Sequence, residues 1–227
     1  MKTIQLILLL TFALTTHLST AQIATIIDAD GWTNVRKEAN NNSEVIYKVR
    51  EGQLFWYDFE FDFQNSTWVE VIIPEDKYCT NGYEGNSIVG YVHKSRLVQL
   101  DSLETYKAEN FEFRYYTSDF DSTGRHITYH DNKWPIKIDN VHIWGTDGYF
   151  PSNQIDSISI RLDGRSITIE PELYDDLFNI REDIKLYRIS DFYIVYNRHG
   201  DGAGSYEIGW TIDKEGNIIQ RLVGSSI

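Results

Sequence analysis

The chain has 227 residues and carries 34 acidic against 21 basic side chains, so its formal net charge is −13 at pH 7. This length suits one large domain or two small ones. The acidic balance argues against sequence-independent binding of nucleic acid or anionic lipid, because both need a basic surface that displaces counterions. The single cysteine, Cys79, excludes an intramolecular disulfide framework and a zinc site built from cysteines.

The first 21 residues have the pattern of a secretory signal peptide. Lys2 provides a positive start, residues 4–14 are apolar apart from Gln5 and Thr11, and Ser19-Thr20-Ala21 offers small residues at a cleavage point. The apolar stretch is shorter than the roughly 20 residues that a membrane-spanning helix needs. We therefore expect an exported bacterial protein without a membrane span, located in the periplasm or outside the cell.

Residues 22–100 consist of short apolar runs separated by turn residues, a pattern that predicts a small barrel. The predicted strands are 23–27, 45–49, 55–63, 68–73 and 88–92. In the third of them apolar and polar residues alternate strictly. Phe55 and Tyr57 are expected in the core, and Trp56 and Asp58 on a solvent-facing side.

This region resembles bacterial SH3 (SH3b) domains through several separated elements that occur in the order and approximate spacing of that family. They are Asp30-Gly31, Asn34-Val35-Arg36, Val45-Ile46, Val49, Gly52, Trp68-Val69-Glu70-Val71 and Gly90-Tyr91-Val92. The resemblance implies a five-stranded SH3-like barrel and extracytoplasmic binding, often to the cell wall. Residues 74–87 form an insertion relative to the family pattern.

Residues 101–227 predict a second, antiparallel β-sheet domain, to which no family is assigned, with a domain boundary near Leu100. Asp163-Gly164 between two apolar runs is a strong hairpin signal. A helix of about two turns is expected from Pro171, since apolar residues follow it at helical spacing. The last four runs, 186–189, 192–197, 206–212 and 218–223, predict a meander. The expected fold class is therefore mainly β with one short helix.

Aromatic side chains are the candidate ligand contacts of the first domain, because a sugar ring can stack on an exposed indole or phenol. The candidates are Trp32, Trp56, Tyr78, Tyr83 and Tyr91. Most aromatics of small β domains belong to the core, so we expect only one or two of these to bind ligand. Cys79 lies in the inserted loop, where an exposed thiol could pair between chains.

The most unusual stretch of the second domain is 197–207, which places three glycines within five residues. Such a backbone must turn sharply or approach another segment closely. A structural loop is the favoured interpretation. If this domain recognises a ligand, we expect Asp201 and Tyr206 of this stretch to contribute, together with the loop at 144–151.

His199, Asp201 and Ser205 are residue types of a hydrolytic triad. The stretch lacks the G-x-S-x-G elbow that exposes a nucleophile, so a catalytic site is the weaker alternative. We expect no catalytic residue, metal or cofactor.

The sequence thus predicts an exported, non-catalytic binding or scaffolding protein of the bacterial envelope. Its expected partner is a cell-wall glycan or peptide, or another envelope protein. Two alternatives stay open. One is a hydrolase with its site near His199, and the other is an acidic inhibitor or immunity-type protein steered to a basic target.

Overall fold

The computed structural model describes residues 21–58, 66–79, 85–107, 109–200 and 202–225. This part of the chain is mainly β, and its helical segments are short 3-10 turns. The first seven strands are β1 (Ala21–Ile26), β2 (Trp32–Arg36), β3 (Val45–Arg50), β4 (Phe55–Asp58), β5 (Trp68–Pro74), β6 (Ser87–His93) and β7 (Leu97–Gln99). The remaining strands are β8 (Phe111–Asp119), β9 (Ile127–His130), β10 (Trp134–Ile138), β11 (Val141–His142), β12 (Asn153–Leu162), β13 (Arg165–Thr168), β14 (Lys185–Ile189), β15 (Phe192–His199), β16 (Tyr206–Asp213) and β17 (Ile218–Ser225).

The first seven strands form one antiparallel sheet in the order β3-β2-β6-β5-β4-β1-β7. The buried side chains of its inner face, among them Val35, Phe55 and Val71, form one cluster whose described members all come from the sheet itself. The sheet therefore covers its own inner face, as a barrel does. The sequence pattern missed β2 and β7, which are short and only partly buried. The predicted third strand is described as far as Asp58, and its continuation to residue 63 lies outside the described residues.

The second half contains three antiparallel sheets. β14, β15, β16 and β17 form the predicted terminal meander, here called the central sheet. β8, β12 and β13 form an outer sheet, and β9, β10 and β11 a smaller one. The turn between β12 and β13 has positive φ at both Asp163 and Gly164, as a two-residue hairpin turn requires. The helix expected from Pro171 is a single 3-10 turn, Pro171–Leu173.

The central sheet is covered on both faces. Tyr193 and Val195 of β15 belong to the core shared with the outer sheet, whereas Ile194 between them belongs to a cluster shared with the first sheet. Alternate residues of a strand face opposite sides. The central sheet is therefore the middle layer of the molecule, with the first sheet on one side and the outer sheet on the other.

Hydrogen bonds and close contacts join the first sheet to the central sheet along a seam. The Gln220 amide donates to the Leu54 carbonyl at 2.9 Å and accepts from the Leu54 N–H at 2.6 Å. The Thr211 hydroxyl donates to the Gly52 carbonyl at 2.7 Å. A methyl group at Gly209 would lie 2.5 Å from a Leu54 methyl carbon. The two sheets therefore approach each other so closely here that only a glycine fits. The two halves of the chain therefore share one buried core.

Trp56 shows the consequence of this seam. The alternating pattern placed it on a solvent-facing side and made it a candidate ligand contact, but it is fully buried in the seam cluster with Leu54 and Leu222. The prediction was wrong because the alternating pattern describes a single strand. The second face of that strand is covered by the central sheet, whose residues lie more than a hundred positions later in the chain.

Farther along β17, Arg221 forms a buried ion pair within the second half and a hydrogen bond across the seam. Arg221 donates two bonds from Nη2 to the Asp176 carboxylate, at 2.6 and 2.7 Å, and one from Nη1 to the Cys79 carbonyl at 2.6 Å. The backbone of Arg221 also exchanges hydrogen bonds with Lys77 and Cys79. Cys79 is only 5% exposed. The free thiol of Cys79, which we flagged for pairing between chains, is therefore buried, since this segment is held against the central sheet.

Candidate functional site

Glycines allow the two unusual loops of the second half to pack against each other. A methyl group at Gly200 would lie 3.1 Å from the Gly145 Cα atom, and one at Gly204 would lie 2.5 Å from the Thr146 carbonyl carbon. Gly145 and Gly200 also have positive φ. Both expectations for the glycine-rich stretch, a sharp turn and a close approach, are confirmed. Its partner is the 144–151 loop that the sequence singled out separately.

One side of this loop pair forms, with β10 and β11, a cavity of about 390 Å³, which we call the aromatic groove. Its lining consists of His130, Trp134, Pro135, Ile136, His142, Ile143, Trp144, Gly145, Thr146, Gly148, Ala203, Gly204, Ser205 and Ser225. This described lining contains no Lys, Arg, Asp or Glu side chain. The groove therefore offers aromatic surface together with hydroxyl and imidazole groups, and without carboxylates, ammonium groups or guanidinium groups, a composition that suits an uncharged ligand.

Trp134 and Trp144 are the large aromatic side chains of the groove. Gly148 allows the loop to lie close to Trp134, since a methyl group there would be 2.6 Å from the indole. His130 stacks on the same indole with ring centroids 6.1 Å apart, and Trp134 remains 37% exposed. Trp144 is half-buried and packs edge-on against His142 at 5.6 Å. The indoles are thus held in place while part of their surface stays accessible.

A second cavity, of about 360 Å³, lies on the other side of the 144–151 loop. Tyr149 and Phe150 line it, and they are 78% and 48% exposed. Phe150 stacks on Phe120 with ring centroids 5.9 Å apart. The loop is therefore a partition between two cavities, with aromatic side chains on both sides. Large apolar side chains this exposed and this close together are typical of interaction surfaces.

His199 lies behind the groove in a closed environment. It is fully buried between Tyr115 and Tyr206, whose ring centroids are 5.4 and 5.3 Å from the imidazole. Its Nδ1 accepts a hydrogen bond from the Arg181 N–H at 3.0 Å, and its Nε2 has no hydrogen-bond partner among the described residues. Burial lowers the pKa of His199 to about 3, so the ring is neutral at ordinary pH.

This geometry leaves His199 without the arrangement of a general base. A neutral imidazole has one lone pair, and here the Arg181 N–H occupies it. A hydrolytic base needs that lone pair directed at the nucleophile. Ser205 is buried close by in the chain, while Asp201 lies outside the described residues.

The other predicted ligand contacts are dispersed. Tyr206 is fully buried and donates to the Phe178 carbonyl at 3.0 Å, so its expected ligand contact was wrong, because β16 carries it into the core. Tyr78 is 37% exposed and donates to the Ile218 carbonyl at 3.1 Å, across the seam. Tyr83 lies outside the described residues.

Trp32 and Tyr91 lie on the outer face of the first sheet. The Lys48 ammonium is 3.6 Å from the centroid of the Trp32 indole. The Tyr91 hydroxyl donates to the Glu70 carboxylate at 2.7 Å. Both side chains are half-buried, so this face has aromatic surface already paired with charges.

Sequence reasoning missed Trp134, Tyr149 and Phe150 as individual residues. A single Trp before an apolar strand is indistinguishable from a core residue, and Tyr149 and Phe150 adjoin a proline in a short loop. The signal in the sequence was the glycines of the 144–151 loop and of the 197–207 stretch, which pack against each other. That signal gave no indication of which nearby side chains stay exposed.

No group of three or more His, Cys, Asp or Glu side chains in the described part of the chain is arranged to hold a metal ion. Likewise, no helix in that part is long and apolar enough to span a membrane. Comparison with family models, with curated proteins and with solved structures found no match. The SH3b resemblance therefore stays a prediction.

Proposed function

We propose that this protein is an exported, non-catalytic glycan-binding protein of the bacterial envelope, and that the aromatic groove is its binding site. The observation that carries the proposal is the described lining of the groove, which combines two accessible indoles with polar side chains and contains no Lys, Arg, Asp or Glu. A sugar ring has flat apolar faces and a rim of hydroxyls. The apolar faces can stack on the indoles of the groove, and the hydroxyls can form hydrogen bonds with its polar side chains.

The charge distribution supports a neutral saccharide over a charged partner. The chain carries a net charge of −13, yet the described lining of the groove contains no Lys, Arg, Asp or Glu side chain. A basic protein attracted by the overall acidity would contact the charged surfaces elsewhere. The inhibitor or immunity alternative therefore has no support at the groove.

The signal-peptide pattern and the SH3b resemblance support the envelope as location. Both are features of the sequence, and the leader precedes the described residues. The first sheet contributes a second aromatic surface around Trp32 and Tyr91, which the SH3b resemblance favours as a binding face. The groove is the better candidate because its indoles line a cavity, whereas Trp32 lies under Lys48.

The test is binding of the full chain to purified peptidoglycan and to a soluble, neutral N-acetylated oligosaccharide. Trp134→Ala removes an indole of the groove, and Trp32→Ala is the matched control on the first sheet. We expect Trp134→Ala to weaken binding about three- to tenfold, as loss of one aromatic contact does. Trp32→Ala should leave binding unchanged.

Two outcomes would overturn this proposal. If the wild-type chain binds neither peptidoglycan nor the oligosaccharide, the glycan function is wrong. If Trp32→Ala abolishes binding while Trp134→Ala has no effect, the first sheet is the binding face and the groove is not. Circular dichroism of both variants checks that each substitution leaves the fold intact.

A further inference from the structure

A second cavity of about 390 Å³ lies at one end of the seam between the first sheet and the central sheet, away from the aromatic groove. We call it the seam cleft. Ile23, Leu100 and Asp101 line it from the first half of the chain. Arg181, Asp183, Lys185, Tyr196, Arg198 and Glu207 line it from the second half. The cleft therefore exists only because the two halves pack together.

The strand register explains how the second half builds its wall. Lys185 pairs with Tyr196 across β14 and β15, and Arg198 pairs with Glu207 across β15 and β16. Tyr196 and Arg198 lie on the same face of β15 as the buried Ile194, which contacts the first sheet. Along this face of β15, the buried apolar interface at Ile194 is thus followed by Tyr196 and Arg198, which line the cleft. Ile23 and Leu100 form a buried apolar floor there.

The cleft is lined by three basic and three acidic side chains. All three basic ones, Arg181, Lys185 and Arg198, come from the second half, while Asp101 faces them from the first. Asp183 and Glu207 are the acidic members of the second half. Burial raises the pKa of Glu207, which is hydrogen-bonded to Tyr196. The second half contributes three basic and two acidic side chains to the cleft, so its wall is basic on balance.

Several of these charges do not neutralise one another directly. Within the part of the chain that the structure describes, the side chains of Arg181, Asp101 and Asp183 form no ion pair within 4.0 Å and no hydrogen bond. The Lys185 ammonium lies 5.9 Å from the centroid of the Tyr196 ring. Charges of opposite sign on opposing walls, which do not contact each other, leave room for a ligand between them.

We propose that the seam cleft binds a small zwitterion that carries a carboxylate and an ammonium group, such as an amino acid or a short peptide. The carboxylate lies against Arg181, because a guanidinium group binds a carboxylate with two parallel hydrogen bonds. The ammonium group lies against Asp101 on the opposite wall. A purely anionic ligand would face Asp101 and Asp183 unfavourably, and a purely cationic ligand would face three basic side chains.

The size of the cleft agrees with this occupant. Its volume of about 390 Å³ is near the lower end of the range for small-molecule sites, as a dipeptide requires. The apolar floor of Ile23 and Leu100 would take a small aliphatic side chain. This proposal goes beyond the glycan function, because it concerns a different cavity with different chemistry.

Isothermal titration calorimetry of the full chain with alanyl-alanine is the test. We expect binding with a dissociation constant of about 1 mM or below. N-acetyl-alanyl-alanine lacks the ammonium group and alanyl-alanine amide lacks the carboxylate, and each should bind about tenfold more weakly. Arg181→Gln and Asp101→Asn should each weaken dipeptide binding, by up to about fivefold, since both side chains are exposed.

Lys214→Gln is the matched control, because Lys214 is an exposed base paired with Asp191 and does not line the cleft. Trp134→Ala should also leave dipeptide binding unchanged, which separates this proposal from the glycan function. No binding of alanyl-alanine would overturn the proposal. Equal binding of either blocked dipeptide would overturn it as well, because the site would then recognise one charge only.

Discussion

Replacing Asp176 by Asn tests how much the buried ion pair of Arg221 on β17 stabilises the fold. Arg221 is 0% exposed and Asp176 is 1% exposed, so neither charge reaches water. Burial raises the pKa of Asp176, and the guanidinium of Arg221 opposes that shift. Removal of the carboxylate charge leaves the buried guanidinium uncompensated, which costs about 3–5 kcal/mol in comparable sites. That is a large part of the roughly 5–15 kcal/mol by which domains are stable.

The assay is urea unfolding of wild type, Asp176→Asn, Arg221→Met and the double variant. Because the double variant has no buried charge, its loss of stability should be smaller than the sum of the single losses by about 2 kcal/mol. A residual cost remains, since the Cys79 carbonyl loses the bond from Arg221. Lys214→Gln, which breaks an exposed ion pair, should leave the unfolding midpoint unchanged.

Thiol labelling gives an independent measurement at the same place. Cys79 is buried next to Arg221, so labelling in the native state needs the segment at 77–79 to open. We expect Asp176→Asn to accelerate labelling and Lys214→Gln to have no effect. The reasoning would be refuted if Asp176→Asn cost less than about 1 kcal/mol, or if the single losses were additive.

Three further predictions concern other parts of the fold. The pKa of His199 is lowered from its ordinary 6.5 to about 3, so the unfolded state binds a proton that the folded state does not between those values. As the pH drops below about 6, the free energy of unfolding of the wild type should therefore fall more steeply than that of His199→Gln, by an additional ~1.4 kcal/mol per pH unit. Parallel pH profiles of the two proteins would contradict this. Gly204→Ala should separate the two packed loops and weaken glycan binding at the groove. Gly164→Ala is the control: it has open space around it but a positive φ, so it should lower stability without affecting binding. Loss of binding in both variants would count against a role for the loop contact. Trp56→Ala should lower the free energy of unfolding by about 3–5 kcal/mol in urea titrations, while an exposed Trp56 would give almost no change.

Local chemistry explains which elements could be predicted from the sequence. The hairpin at Asp163-Gly164 was predictable because few residue pairs tolerate positive φ twice in succession. The terminal meander was predictable because each of its strands is a compact apolar run bounded by turn residues. The helix expected from Pro171 ends after one 3-10 turn, since Tyr174 leaves the helical conformation.

The candidate site was predictable in its loops and not in its side chains. Closely spaced glycines indicated segments that approach another backbone, and Gly200 and Gly204 do so against Gly145 and Thr146. Whether a nearby aromatic is exposed depends on the layer beside it. Tyr206 is buried and Tyr149 is exposed, although both are tyrosines adjoining these loops.

By itself, the sequence determined that the protein is mainly β, where most of its strands lie and which loops carry unusual backbone. Those properties follow from turn chemistry and alternation within a few neighbouring residues. Only the tertiary structure decided that the two halves share a core, that Trp56 and Cys79 are buried in it, and that a charged cleft opens at its edge. These properties require pairs such as Leu54 and Gln220 to meet. No local pattern encodes a contact between residues so far apart along the chain.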